Sequence, residues 1–144
     1  KNGRKIILRN PNATRPWQHV LEPLSGYLTL GHKLMNRELK SSLIPSWNFG
    51  PHKKNCKKVI FIARLFVEEW EEKKQIITYR KNKNFHESQL LSLNIQKAQK
   101  ELSWKPRLTL DETVKFTVDW YKSYFLDNKS EDISNYQTEY YIDK

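Results

Sequence analysis

Arg9-Asn10-Pro11-Asn12-Ala13-Thr14-Arg15-Pro16-Trp17-Gln18-His19-Val20 is the stretch on which the reading of this chain turns. Its two prolines, its two asparagines and Thr14 hold the backbone irregular, while Arg15, Trp17 and His19 bring a guanidinium, an indole and an imidazole within five positions. If Trp17 to Val20 is extended, alternate side chains share a face. Trp17 and His19, joined by Arg15, then point one way, and Gln18 and Val20 the other. A guanidinium fork matches a phosphate or diphosphate better than an ammonium does, so Arg15 is the residue expected to meet an anionic ligand. The competing reading is a loop arginine paired with a carboxylate, with Trp17 in the core.

Upstream, Lys5 to Arg9 is a short β-branched run with little polar alternation, which predicts a buried, parallel strand. Downstream, Glu22-Pro23 opens a helix of about 15 residues, with Leu24, Tyr27, Leu28, Gly31, Leu34 and Met35 at i, i+3, i+4 spacing. Trp47 to Phe49, ended by Gly50-Pro51, predicts a short strand. Ligands of open α/β sheets sit beyond the carboxyl ends of strands. There Asn48 either offers its amide to a phosphate or sugar or satisfies its own turn. A stripe from Val59 to Trp70 predicts a helix whose lysines come early and glutamates late, against the macrodipole, so tertiary packing must hold it.

Ile76 to Tyr79 predicts a third strand, followed by a basic loop and then His86-Glu87. That pair suits an acid/base or a ribose clamp, although adjacent residues on a strand point to opposite sides. Asn94 caps a helix that runs through Leu102 and is stopped by Trp104-Lys105-Pro106-Arg107. Thr109 or Asp111 begins the last long helix, with Val114, Thr117, Val118, Tyr121, Tyr124 and Phe125 as its expected buried face. Residues 127–144 read as a polar, loosely packed tail.

The composition narrows the classes. At 144 residues, with 38% hydrophobic and 12% aromatic content, the chain suits one folded domain. No apolar run reaches the roughly 18–20 residues of a membrane span, and Lys1-Asn2-Gly3-Arg4-Lys5 with the short apolar run after it does not read as a secretory signal. The net charge of +10 rests on 19 Lys and 7 Arg scattered along the chain, which suits a solvated surface rather than a nucleic-acid stripe. Cys56 is the one cysteine, so an internal disulfide or Cys-cluster metal site is excluded and a reducing cytoplasm fits. Its lysine neighbours would lower a thiol pKa, but with no base or second thiol it reads as an incidental surface cysteine. The chain does not begin with Met, the form expected of a piece of a longer protein.

Taken in order, Arg9 to Val20, Ser46-Trp-Asn-Phe-Gly-Pro51, His86-Glu87, the run from Asn94 through Lys97-Ala98, Leu102, Trp104 and Pro106, and Thr117-Val-Asp-Trp-Tyr121 resemble the C-terminal part of the CDP-glucose 4,6-dehydratases. These are extended short-chain dehydrogenase/reductases that act on nucleotide sugars. The resemblance covers nearly the whole chain. It implies an α/β fold of Rossmann type, mostly helical here with a few short strands. Residues 1–126 would be the nucleotide-sugar-binding portion and 127–144 a tail. Arg15 would contact the nucleotide diphosphate, with Trp17 and His19 shaping the pocket wall. Asn48 would lie at a strand end near the nucleotide, and His86 and Glu87 where relatives hold the ribose or phosphate. Relatives often carry an arginine shortly before the His86 position, whereas here the nearest basic residue is Lys83.

The family's reaction oxidises C4 of the sugar with NAD, eliminates water across C5 and C6, and returns the hydride to C6. None of the four glycines stands in a dinucleotide-binding pattern. Tyr79 and Lys83 have the family's Tyr-x-x-x-Lys spacing but follow a strand and come after the Arg15 segment, whereas the family pair precedes it. NAD binding and catalysis are therefore expected from an N-terminal domain absent from this chain, and the chain alone is expected to be inactive. The resemblance further implies a cytoplasmic, homo-oligomeric enzyme of polysaccharide biosynthesis with no nucleic-acid or membrane partner. Two alternatives stay open: a related nucleotide-sugar epimerase or dehydratase, and a stand-alone basic binding module. Alone, the chain is expected to expose sheet edge and apolar helix surface, with poor solubility or partial disorder.

Overall fold

Leu21–Met35 form helix α1, as its apolar spacing predicts, with Pro23 in the first turn, where a missing N–H costs no hydrogen bond. In this computed structural model, which describes residues 5–39, 45–70, 77–79, 88–127 and 129–144, α1 does not turn its leucine stripe inward. Glu22 and Gly26 are the buried positions and Leu30 packs against a core cluster, while Leu24, Tyr27, Leu28, Leu34 and Met35 stay exposed. Gly26 makes this packing possible: a Cβ there would lie 2.3 Å from Phe49 Cδ1.

The strands are short and form two separate pairs. β1 (Ile6–Leu8) runs parallel to β4 (Ile77–Tyr79), with Ile6 opposite Ile77. The parallel pairing matches the sequence reading, but burial does not, because Ile7 and Tyr79 are each 59% exposed. β2 (Thr14–Pro16) and β3 (Cys56–Lys58) pair antiparallel, with Arg15 opposite Lys57. Thr14 also bridges Leu90, its N–H donating to Gln89 O at 2.8 Å and its carbonyl accepting from Leu91 N at 3.1 Å. The strand expected at Trp47 to Phe49 is absent. That stretch carries no ladder, and Phe49 is a plug in a core of Phe49, Ile95, Ala98, Leu102 and Trp104.

Four more α-helices follow, α2 (Val59–Trp70), α3 (Gln96–Leu102), α4 (Leu110–Lys122), which runs on as a π-helix over Ser123–Asp127, and α5 (Ser130–Asp143). α2 packs on α4. Its unfavourable charge order is answered from α4, where Lys122 Nζ donates to Glu69 O at 2.8 Å and Lys115 pairs with Glu69 at 3.5 Å. α3 ends at Ser103, which takes a left-handed conformation at φ 57°, and Pro106 follows. Between α3 and α4, Trp104, Pro106 and Leu108 are buried while Ser103, Lys105, Arg107 and Thr109 face out, a period-2 pattern. Thr109 caps α4 in a reciprocal box with Glu112.

Two expectations for this end of the chain are corrected. Val114, Phe116 and Val118 form the buried face of α4, whereas Tyr121, Tyr124 and Phe125 are 44–61% exposed. The supposed loose tail is α5, seated on α4 through buried Gln137 and Tyr141. Gln137 Nε2 donates to Phe116 O at 2.8 Å, which explains how a polar sequence docks a helix without a leucine face. Among the described residues no helix is long and apolar enough to cross a membrane.

Candidate functional site

β2 holds Arg15, half-buried, between β3 on one side and residues 89–91 on the other. Its Nη1 donates to Thr14 O and to Ser88 O, each at 2.9 Å. Fixed backbone carbonyls thus help to orient the guanidinium. Directly opposite residues of an antiparallel pair share a face, so Arg15 and Lys57 put two cations side by side, with exposed Lys53 and Lys54 in the turn before β3. Like charges so placed destabilise a ribbon and favour an anion beside it. Trp17 clamps the same ribbon, its indole N–H donating to Lys57 O at 2.9 Å.

The alternation expected from Trp17 to Val20 fails because the chain leaves the ladder after Pro16. Gln18, His19, Val20 and Leu21 instead all line one cavity of about 460 Å³. Thr117, Trp120 and Tyr121 of α4 and Ser134, Gln137 and Thr138 of α5 complete its wall. His19 is buried, its ring edge-on to Phe116 at 5.7 Å, and its Nδ1 accepts from Leu21 N at 3.4 Å. Burial pushes its pKa below the ordinary histidine value, so it is a neutral group near pH 7 and shapes a wall rather than binding an anion by charge. Gln18 Nε2 donates to Phe49 O at 3.0 Å, leaving Oε1 buried with no partner.

Asn48 sits elsewhere. It is exposed, its Nδ2 donates to Asn94 O at 3.4 Å, and it lines a surface cleft with Asn94, Gln96, Lys97, Lys100 and Glu101. His86 and Glu87 lie outside the described residues. The next residue, Ser88, is the one whose carbonyl accepts from Arg15. Tyr79 ends β4 and is exposed, and Lys83 also lies outside the described residues. Cys56 is half-buried in β3, where burial raises its thiol pKa against the opposing charge of Lys53. Among the described residues no three His, Cys, Asp or Glu side chains are placed to hold a metal.

One polar cluster went unread in the sequence. Glu22 Oε1 accepts from Arg107 N at 2.8 Å and Leu108 N at 2.6 Å, and its Oε2 accepts from the Tyr141 hydroxyl at 2.8 Å. Ser25 Oγ lies 2.8 Å from the Tyr141 hydroxyl and accepts from Trp104 Nε1 at 2.9 Å. The available signal was the helical wheel, where Glu22 shares a face with Ser25, Gly26 and Thr29. The network ties α1, the 104–108 strip and α5 together, beside the loop that carries His19.

No family model matches the sequence. Over 124 residues, 86% of this chain, the sequence is 40% identical to the CDP-glucose 4,6-dehydratase of Salmonella typhimurium (strain LT2), of which it spans 34%. Among solved structures, RMD from Pseudomonas aeruginosa complexed with NADPH shares the fold at a TM-score of 0.64, with 13% identity, over 86% of this chain and 37% of that one. The α/β, mostly helical architecture with few short strands is the one the sequence resemblance implied. By sequence the chain is related to CDP-glucose 4,6-dehydratase, and by fold to part of RMD, in each case over about a third of the relative's length.

Proposed function

We propose that this chain is the nucleotide-sugar-binding portion of a CDP-glucose 4,6-dehydratase, which converts CDP-glucose to CDP-4-keto-6-deoxyglucose with NAD. The observation that carries this reading is the 40% identity over 124 residues to an enzyme of that name. The residues do not fit NAD. Gly26 and Gly31 lie within α1 and Gly50 packs against Leu93 and Ile95, so no described glycine opens a strand-to-helix turn where backbone could approach a pyrophosphate. NAD and the catalytic residues would be supplied from outside this chain, and no redox step is assigned to it.

In this reading Arg15, with Lys57 beside it, offsets the diphosphate charge at the β2–β3 ribbon. Trp17 holds the ribbon in register, so its contribution is positioning. His19 supplies a neutral wall to the adjoining cavity, and His86 and Glu87 are assigned, by the resemblance alone, to the ribose or phosphate. Asn48 serves the nucleotide from its own cleft. Binding energy gathered at these groups orients the hexose for chemistry performed elsewhere. The enzyme so formed would be a homo-oligomer of the cytoplasm, with neither nucleic acid nor membrane as partner.

The test is a chimera in which this chain replaces the matched segment of the Salmonella typhimurium dehydratase. It should turn CDP-glucose into the 4-keto-6-deoxy product, followed by NMR, in preference to UDP-, GDP- and dTDP-glucose. A folded chimera that preferred another nucleotide tenfold would transfer the assignment to a related dehydratase or epimerase.

A further inference from the structure

Helix α1 buries the side that carries Glu22 and Gly26 and leaves its leucine side outward. Leu24, Leu28, Gly31 and Met35 recur at i, i+4, i+7 and i+11 and so form one stripe, with Tyr27 and Leu34 along its edge. Leu28 is 76% and Met35 85% exposed. At Gly31, in the middle of the stripe, nothing lies within 4 Å of where a Cβ would be, so an incoming element meets an open saddle. A 15-residue helix is about 22 Å long, and an uninterrupted apolar face of that length marks an interaction surface rather than ordinary scatter.

We propose that this face of α1 is the surface on which the NAD-binding portion of the dehydratase docks, an inference that rests on the functional reading above. The occupant follows from the comparisons. The matched segment is 34% of the Salmonella enzyme and 37% of the NADPH-complexed RMD chain, so in each relative about two thirds of the same polypeptide remains to cover part of this third. The face itself selects the chemistry. None of its six residues is charged, in a chain of net charge +10, so it suits neither a nucleotide nor a nucleic acid and calls for an apolar protein surface.

Thiol labelling tests this, with Cys56→Ser as background and Leu28→Cys or Ile142→Cys as probes. Both probe positions are exposed on the isolated chain, at 76% and 66%, so neither substitution removes core packing. The isolated chain and the chimera described above are each labelled with a maleimide. Leu28→Cys should react at least tenfold more slowly in the chimera than in the isolated chain, while Ile142→Cys reacts at similar rates in both. Equal Leu28→Cys rates would overturn the proposal. So would protection that appears in the isolated chain as its concentration rises, which would give the face to a second copy. Turnover of CDP-glucose separates the two readings: an active chimera with a freely labelled Leu28→Cys sinks the docking face alone, and a protected but inactive one sinks the function alone.

Discussion

The Tyr141 hydroxyl donates to Glu22 Oε2 at 2.8 Å, joining residues 119 positions apart. With Oε1 accepting from the Arg107 and Leu108 backbone, Glu22 satisfies buried donors on two other segments. Glu22→Ala should therefore lower stability by about 2–4 kcal/mol, since it strands backbone N–H groups in the interior. Glu22→Gln keeps an acceptor for those groups and should cost about 1–2 kcal/mol. Urea denaturation followed by tryptophan fluorescence gives both numbers. Equal losses would show that charge rather than the acceptor geometry matters.

Tyr141 also sets an alkaline limit. Burial, reinforced by the neighbouring Glu22, pushes its hydroxyl up to about 12 from 10.0, against the opposing bond from Ser25. A group whose folded pKa is raised contributes stability that is complete below the unfolded pKa and is lost as pH climbs through the folded one. The contribution of Tyr141 should thus fade between pH about 10 and about 12. Tyr141→Phe, less stable at neutral pH through its lost hydrogen bonds, should show a shallower decline over that window in denaturation at stepped pH.

The opposite window belongs to Glu112. Burial works against its charge, but bonds from Lys144, from Thr109 and from the Tyr140 hydroxyl bring its pKa down to about 2 from 4.5. A depressed carboxyl contributes stability above its unfolded pKa and loses it as pH falls through the folded one, here from about 4.5 towards about 2. Glu112→Gln should flatten the acid decline there. Thr109→Ala, which removes the cap of α4, should cost about 0.5–2 kcal/mol at any pH. Thermal melts of the two variants at pH 7 and pH 3 separate the charge from the cap.

These contacts show why the sequence could be read unevenly. The extent of α1 and the start of α4 were legible because apolar spacing, Pro23 and Thr109 are local signals. The inward face of α1 was not, because Leu24, Leu28 and Met35 are as apolar as any core stripe and only tertiary context leaves them outside. β2 and β3 were illegible for a different reason. Thr-Arg-Pro and Cys-Lys-Lys are three-residue runs in which Pro and Lys oppose a strand, and the pairing is held by Trp17 and by the bridge to Leu90. α5 hid because Gln137 docks it through a hydrogen bond. Arg15 could be singled out from the sequence because its chemistry is intrinsic, whereas Lys57 opposite it depended on that unpredicted register.

Gly26 gives a packing test. A methyl group there would lie 2.3 Å from Phe49 Cδ1, and the ring is fixed edge-on to Trp104 at 5.0 Å. Overpacking costs about 1–3 kcal/mol, against about 1 kcal/mol gained from replacing a mid-helix glycine, so Gly26→Ala should be destabilising by up to about 2 kcal/mol. Adding Phe49→Leu should recover part of the Gly26→Ala loss in a double-mutant cycle, because the smaller side chain makes room. Additive losses would mean that the helix backbone, not the ring, absorbs the clash.

Lys57 separates binding from stability at the candidate site. Lys57→Glu would convert the like-charge pair opposite Arg15 into an attractive one, a gain of about 0.2–1 kcal/mol for directly opposed residues. It also removes the ammonium lying 5.8 Å from the Phe61 ring, worth about 0.5–1 kcal/mol at an exposed site. The two nearly cancel, and the Trp17 bond survives because it uses the Lys57 backbone carbonyl. Stability should therefore change by less than about 0.5 kcal/mol. In the chimera, however, a carboxylate beside Arg15 would repel a diphosphate and draw the guanidinium away from it, so CDP-glucose affinity should fall at least tenfold, with Arg15→Ala falling as far or further. Calorimetric titration of the folded variants reads the affinity directly. Unchanged affinity in both would place the diphosphate somewhere other than the β2–β3 ribbon.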